Sequence, residues 1–453
     1  MGKDTMTGTE RIAGFFDAGT FAELGAYRKR ADGTPVGAVC GYGAVNGRLV
    51  YAFAQDSDCR KGAFDALQAE KIASLYTLAI GNGAPVIALF DSAGAYVADG
   101  STALAAYGTL LAQVSRASGV IPQIAVIGGT CVGMLATAAA MCDFAVTIRD
   151  RSRLSVNAPF LVGKEIGTAE YTAGTGLSSV CAADEAEAVA AVRRLIGLLP
   201  ANAGEGTVTE TPSDDVNRAS ALGGSVRETV ASVTDAESFL EIGAGYADAM
   251  MTGFGQVGGV TCGIVANDPE TDGGAITAAG ARKAAKFIRF CDCFGIPVLT
   301  FVDSTGVAVS PVEESDPLAA ALGRLAMTYA SAETAKVTVI LGKAHGAAFT
   351  LMGSRALGAD TVYALPEAQI SVMAPEAAVA FLWNDRISET VSRASLVDEW
   401  TRTVASAEAA ARDGSIDDVI APDELRRRIC AAVYMLADKD PGGVRRRHCD
   451  LPL

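Results

Sequence analysis

Apolar runs of strand length alternate along the chain with segments whose apolar residues recur every three or four positions. GAPVIALFDSAG at 83–94 and GIPVLTFVDSTG at 295–306 are strand-length apolar runs that end in a polar bend. Such runs predict strands buried on both faces. EKIASLYTLAI at 70–80 and ARKAAKFIRFCDCF at 281–294 have helical spacing instead. The uncharged stretch IAVIGGTCVGMLATAAAMC at 124–142 imitates a membrane span. Gly128, Gly129 and Gly133 interrupt it, and Ala and Thr stand where Leu is expected. A buried strand, a glycine bend and a small-residue core helix fit it better.

The pattern occurs twice. The two opening stretches share Gly83/Gly295, Pro85/Pro297, Val86/Val298, Asp91/Asp303, Ser92/Ser304 and Gly94/Gly306, at an offset of 212. YGAVNGRLVYAFAQD at 42–56 matches FGQVGGVTCGIVAND at 254–268 at the same offset, and Lys71 matches Lys283. IAVIGGTCVG at 124–133 matches VTVILGKAHG at 337–346, and LSVNAP at 154–159 matches ISVMAP at 370–375, at offsets of 213 and 216. Short loop insertions produce such drift. Each half reads as hairpin, helix, strand, bend, helix, strand, bend, helix. That order predicts an α/β domain with right-handed crossovers. The boundary falls in the polar stretch PANAGEGTVTETPSDD at 200–215, giving domains at 1–205 and 216–453.

Charge and composition narrow the function. A net charge of −15 with no long basic tail argues against nucleic acid. The early basic run Arg28-Lys29-Arg30 reads as a solvated surface turn, or as a site for the phosphates of a small anionic ligand. Ten cysteines without a CxxC pair, and no secretory signal, predict reduced thiols and a cytoplasmic location. Cys291 and Cys293 lack zinc-ribbon spacing, and His345 and His448 are the only histidines, so no metal site is expected.

Two motifs mislead. GFGQVG at 253–258 matches GxGxxG, but the apolar strand TCGIVAND follows it where a helix is required. A hairpin turn is expected there. Asp91-Ser92 and Asp303-Ser304 lack GxSxG flanks, and no histidine repeats with them. They are expected to cap the following helices, and a catalytic pair with His345 is disfavoured.

The bends carry chemistry of their own. In IAVIGGTCVGMLATAAA and VTVILGKAHGAAFTLMG a strand runs through glycine into a helix of small residues. The first amides of a helix lack internal partners and sit at its positive end. Aimed at a carbonyl oxygen they form an oxyanion hole, which suits a chain poor in histidine.

These segments together resemble the carboxyltransferase subunits of biotin-dependent acyl-CoA carboxylases and decarboxylases. The resemblance runs from ERIAGFFDAGTFAELGAY at 10–27 to RRRHCDLPL at 445–453. It is strongest in GARKAAKFIRFCDCFGIPVLTFVDSTG at 280–306 and in residues 336–375. It implies an α/β fold of two tandem crotonase-like (ClpP/crotonase) spiral domains related by internal duplication. The first domain would hold the acyl-CoA and the second carboxybiotin, with the active site shared between subunits of a homo-oligomer, a hexamer by resemblance. The catalytic amides would be those of Gly133 and Met134 for the thioester and of Ala347 and Ala348 for the biotin ureido carbonyl. Ser92, Ala93, Gly94, Gly346 and Thr350 would bind substrate. The sequence has no AMKM-type or VMKM-type biotinylation site and no ATP-grasp signature. Biotin therefore arrives on a separate biotin carboxyl carrier protein, with a biotin carboxylase or a membrane decarboxylase subunit as a further partner.

The chain departs from the family pattern mostly in its first half. Met134 replaces a glycine, and Ala347 replaces another in the second half. DSAGAYVADG at 91–100 lacks the family's arginine, glutamine and glutamate. CRKGAF at 59–64 replaces a glycine-rich stretch, and the segment after Pro159 is short. Thr350 stands where propionyl-type members often have aspartate. Two other functions remain open on these residues: a non-catalytic assembly subunit, and a biotin-independent crotonase-type acyl-CoA hydrolase or isomerase.

Overall fold

A computed structural model describes residues 8–220 and 222–439. His448 and the 445–453 stretch lie outside the described residues. The chain divides into two compact units at Gly206 and Thr207. Residues 207–210 are part of the second unit. The Thr207 hydroxyl donates to the Thr261 carbonyl, and the Glu210 amide donates to the Gly259 carbonyl.

The first unit holds eight strands: β1 (Ala22–Glu23), β2 (Ala38–Val45), β3 (Arg48–Gln55), β4 (Val86–Ser92), β5 (Gln123–Val132), β6 (Phe144–Ile148), β7 (Arg153–Ser155) and β8 (Val180–Ala182). Their order is β1-β2-β3-β4-β5-β6-β8, with β7 beside the far end of β5. β1, β2 and β3 pair antiparallel, and the rest pair parallel. The second unit repeats this with β9 (Leu240–Glu241), β10 (Met250–Val257), β11 (Val260–Asn267), β12 (Val298–Ser304), β13 (Lys336–His345), β14 (Thr361–Ala364), β15 (Gln369–Ser371) and β16 (Asp418–Val419). Its order, β16-β14-β13-β12-β11-β10-β9 with β15 on β13, is the same topology.

The repeated residues have local reasons. Asn46-Gly47 and Gly258-Gly259 all have positive φ, which makes each β2–β3 and β10–β11 link a two-residue hairpin. GFGQVG therefore lies on β10 and its turn, and binds no dinucleotide phosphate by a strand-to-helix bend. Helix Ala66–Asn82 begins at Asp65, whose carboxylate accepts from the Gln68 amide. Its buried face is Ala69, Ile72, Leu75, Tyr76 and Ala79. It ends at Gly83 with left-handed φ, and helix Ala278–Cys293 is followed by Gly295 at φ 65°. The repeated Gly-x-Pro is thus a helix stop followed by strand entry. Residues 124–142 form most of β5 and helix Met134–Met141. Among the described residues no helix is long and apolar enough to cross a membrane.

One clamp ties each hairpin to its unit. The Asp17 carboxylate accepts from the Asn46 and Gly47 amides at 3.2 and 2.9 Å and from Arg193 at 2.7 Å. Asp235 likewise accepts from Gly258 and Gly259 at 3.0 and 2.8 Å and from Arg426 at 2.6 Å. The first clamp is part-exposed, whereas Arg426 and Asp235 are fully buried.

The units differ most between their last strands. The second inserts helices Pro375–Leu382 and Arg393–Thr403 between β15 and β16. The first has only Pro159–Val162 and Ala169–Gly174 there.

Candidate active site

Each unit builds the same bend where its central strand stops. After β5, Gly133 takes φ 67° and ψ −138°, and helix Met134–Met141 begins. After β13, Gly346 takes φ 55° and ψ −132° before helix Ala347–Leu351. Only glycine adopts this backbone readily. The Gly133 amide donates to the Ser155 and Val156 carbonyls at 3.2 and 3.0 Å, and the Gly346 amide to the Ser371 carbonyl at 2.8 Å. These bonds seat the bend against the end of β7 or β15.

This corrects one expectation. The Gly133 amide is committed to strand carbonyls and is not a free donor. Among the described residues the amides of Met134 and Leu135 donate to no protein acceptor, nor do those of Ala347 and Ala348. The pair that matches Ala347 and Ala348 at an offset of 213 is Met134 and Leu135. Met134 is 39% exposed, so its side chain stands clear of the core.

The second bend of each unit adjoins the first. The β4–β5 register slips between Phe90 and Ser92, and β12–β13 slips between Val302 and Ser304. Within the slip, an Asp91 oxygen accepts from the Thr130 amide at 3.3 Å, and an Asp303 oxygen accepts from the Lys343 amide at 2.8 Å. A Cβ at Gly129 or Gly342 would lie 2.2 or 2.6 Å from those carboxylates, so both positions require glycine. Buried Arg11 donates to Asp91 at 3.0 Å and to the Gly128 carbonyl at 2.7 Å. Ser92 and Ser304 accept from the Gly94 and Gly306 amides, each at 3.2 Å.

The aspartates and serines therefore do not cap helices, as the sequence suggested. They hold their own bends, and helix Ser101–Ala117 starts at Gly100 without a side-chain cap. A Cβ on Gly94 would lie 3.8 Å from Val132, and one on Gly306 would lie 3.5 Å from the His345 carbonyl. Ser92, Ala93 and Gly94 are thus brought beside Gly133. The Ala93 amide is bound to the Lys61 carbonyl at 3.1 Å. The next amides, Ala95 and Val307, have no protein acceptor among the described residues. Sequence reading missed them, although the 212-residue repeat of the bend marks their place.

In the second unit the helix start opens onto a cavity of about 920 Å3. Gly346, Ala347 and Thr350 line it, and Phe381, Leu382 and Trp400 from the inserted helices wall it. Ala348 is buried away from it. His345 is buried, and its Nε2 has no partner among the described residues. Burial pushes its imidazole pKa down, and its side-chain partner is Gln369, not a serine.

The run Arg28-Lys29-Arg30 is not a free cationic surface. Arg30 is buried against Asp65 and the Val36 carbonyl, and Arg28 pairs with Glu70. No cluster of metal-ligating side chains occurs among the described residues.

Comparison with known proteins agrees over the whole chain. Residues 1–449 match the model of the carboxyl transferase domain. The chain is 33% identical to the propionyl-CoA carboxylase carboxyltransferase subunit of Haloferax mediterranei, covering 100% of this chain and 94% of that protein. It is 32% identical to the methylmalonyl-CoA decarboxylase subunit alpha of Veillonella parvula, covering 99% and 93%. The solved structure of the transcarboxylase 12S hexamer, with methylmalonyl-coenzyme A and methylmalonic acid bound, superposes with a TM-score of 0.93 at 31% identity, over 99% of this chain and 93% of that one. Two α/β units of one topology, and bends with free amides at matching places, are the tandem crotonase-like architecture that the resemblance implied. The chain belongs to the carboxyl transferase domain family.

Proposed function

We propose that the protein moves CO2 between carboxybiotin, carried on a separate protein, and the α-carbon of an acyl-CoA. The observation that carries this reading is the duplicated bend, which gives each unit main-chain donors at a helix start with no protein acceptor among the described residues. Two carbonyl-bearing reactants need two such sites.

In the first unit the Met134 amide, with Ala95 as second donor, would donate to the thioester oxygen. Negative charge grows on that oxygen as the α-proton leaves. Fixed N–H dipoles stabilise it without reorganising, an effect worth about 10² to 10³ in rate per donor. The second unit's cavity suits a small bicycle whose sulfur ring is apolar and whose other ring bears one carbonyl: its walls are mostly apolar, and Ala347 sits at its lining. When bound there, carboxybiotin supplies CO2 and then a basic ureido nitrogen. Ala347, with Val307, would hold the ureido oxygen. Thr350 lines the same cavity and would help set which ring or acyl group fits.

The same reading includes a homo-oligomer, hexameric as in the 12S relative, a cytoplasmic location, and a carboxylase or membrane decarboxylase partner. Exposed Phe160 and Phe381, 86% and 78% accessible in the single chain, support further association.

The test is purified protein with a biotinylated carrier and several malonyl-type CoA thioesters. Carboxyl transfer to biotin that avidin blocks is expected. Turnover that persists with avidin would favour a biotin-independent hydrolase or isomerase. Absence of transfer from every thioester would overturn the proposal and favour an assembly role.

A further inference from the structure

A turn beneath the first unit's bend carries residues that its backbone disfavours. Residues 60–62 and 272–274 form the same short turn in the two units. In the second unit it reads Asp272, Gly273, Gly274, with φ of 48°, 63° and 67°. In the first it reads Arg60, Lys61, Gly62, with φ of 54°, 54° and 67°. Left-handed backbone suits Gly, Asn and Asp, and it strains longer L side chains. In this turn the second unit obeys that rule, and the first places two long cations in succession against it.

The fold does not require those cations. Both turns close with the same bonds: Gly62 to the Cys59 carbonyl and Gly274 to the Thr271 carbonyl, each at 2.9 Å. Both support the site bend through the same main-chain bond. The Lys61 carbonyl accepts from the Ala93 amide at 3.1 Å, and the Gly273 carbonyl accepts from the Thr305 amide at 3.0 Å. The turn packs tightly there, since a Cβ on Gly62 would lie 2.1 Å from the Asp91 carbonyl. The first unit thus stations Arg60 and Lys61 at the bend Asp91–Tyr96. The Arg60 guanidinium lies 4.5 Å from the Tyr96 ring centroid and 3.3 Å from an Asp32 oxygen. Lys61 is exposed and has no ion-pair partner among the described residues.

Unrelieved strain of this kind is characteristic of ligand sites, where the side chain has work that glycine cannot do. A stacked guanidinium is held ready for a planar or tetrahedral oxyanion, and a neighbouring ammonium adds a mobile point charge. We propose that the Arg60–Lys61 turn binds an anionic group of the thioester substrate: a phosphate of its CoA part, or a second carboxylate on its acyl chain. This rests on the reading of the first unit's bend as the thioester site.

The test is calorimetric titration of the full chain with CoA thioesters, comparing wild type with Lys61→Gln, Lys61→Gly and Arg60→Gln. Lys61→Gln removes the charge and keeps the strain, whereas Lys61→Gly removes both. Each variant is expected to bind about ten- to hundredfold more weakly, the scale of one lost charge-assisted hydrogen bond. Lys61→Gly is expected to melt at or above the wild-type temperature. A loss shared by every CoA thioester assigns the anion to a CoA phosphate. A loss confined to thioesters with a terminal acyl carboxylate assigns it to the acyl chain. Variants that bind like wild type, or a Lys61→Gly protein that melts lower, overturn this inference alone. A wild type that binds no CoA thioester overturns the thioester site with it.

Discussion

At the scale of single residues, the site uses amides whose side chains matter little, which makes them hard to test by ordinary substitution. Proline offers a way, because it lacks the N–H and fits the first helical position. Met134→Pro and Ala347→Pro each delete one donor where the preceding glycine has ample backbone freedom. Carboxyl transfer is expected to fall about 10²- to 10³-fold in each, with melting temperatures close to wild type. An unchanged rate in Met134→Pro would remove that amide from the mechanism. The matched lysines give a second residue-scale contrast. Lys71 lies 3.2 Å from Glu23. Its counterpart Lys283 has lost the matching carboxylate, because Arg227 takes Glu241 at 3.0 Å, and it donates instead to the Tyr246 carbonyl at 2.7 Å. Burial pushes the Lys283 pKa down, from 10.5 to about 8. Between those values the unfolded chain binds the proton and the folded chain does not. Folding stability therefore rises with pH across that window and is lowest, as far as this group goes, below it. Denaturant melts from pH 7 to 10.5 should show this rise in wild type relative to Lys283→Met.

At the scale of elements, two hairpins of one design are locked with different strength. Arg426→Ala leaves Asp235 buried and uncompensated, and is expected to cost about 3–5 kcal/mol. Arg193→Ala disrupts a part-exposed pair and should cost about 1 kcal/mol or less. Denaturation midpoints of the two variants would check the contrast; equal losses would contradict it. The hairpins, the buried strands and the long helices were legible in the sequence, because each is written in local terms: Asn-Gly or Gly-Gly, an apolar run, a three-to-four spacing closed by glycine. The roles of Asp91 and Ser92 were not. A side chain that braces the neighbouring strand and one that caps the next helix have the same local sequence, and only the register slip at Phe90–Ser92 decides between them. The Gly133 amide was misread for a related reason. Its acceptors, Ser155 and Val156, lie more than twenty residues away, on a strand end whose position no local pattern gives.

At the scale of the whole molecule, duplication made the fold readable, since each half served as a check on the other. The same comparison shows where the halves have diverged. The walls of the second unit's cavity come from helices Pro375–Leu382 and Arg393–Thr403, which have no counterpart of that length in the first unit. Helix Arg393–Thr403 buries only Leu396, so its sequence gave little sign of a wall. The short first-unit segment leaves Phe160 and Leu161 86% and 70% exposed, and the second unit leaves Val309 and Phe381 98% and 78% exposed. Large apolar side chains so open to water are costly at about 25 cal/mol per Å2, and association removes that cost. If the chain assembles through these faces, Phe160→Asp and Val309→Asp should shift it toward smaller species in sedimentation velocity. Neither side chain belongs to its unit's core, so the melting of each unit should survive the change. Transfer between thioester and biotin is expected to fall with the loss of assembly if, as the resemblance implies, an acyl-CoA bend from one copy faces a biotin cavity from another. A dissociated variant that keeps full transfer activity would show that one chain suffices, and would remove the shared site from the mechanism.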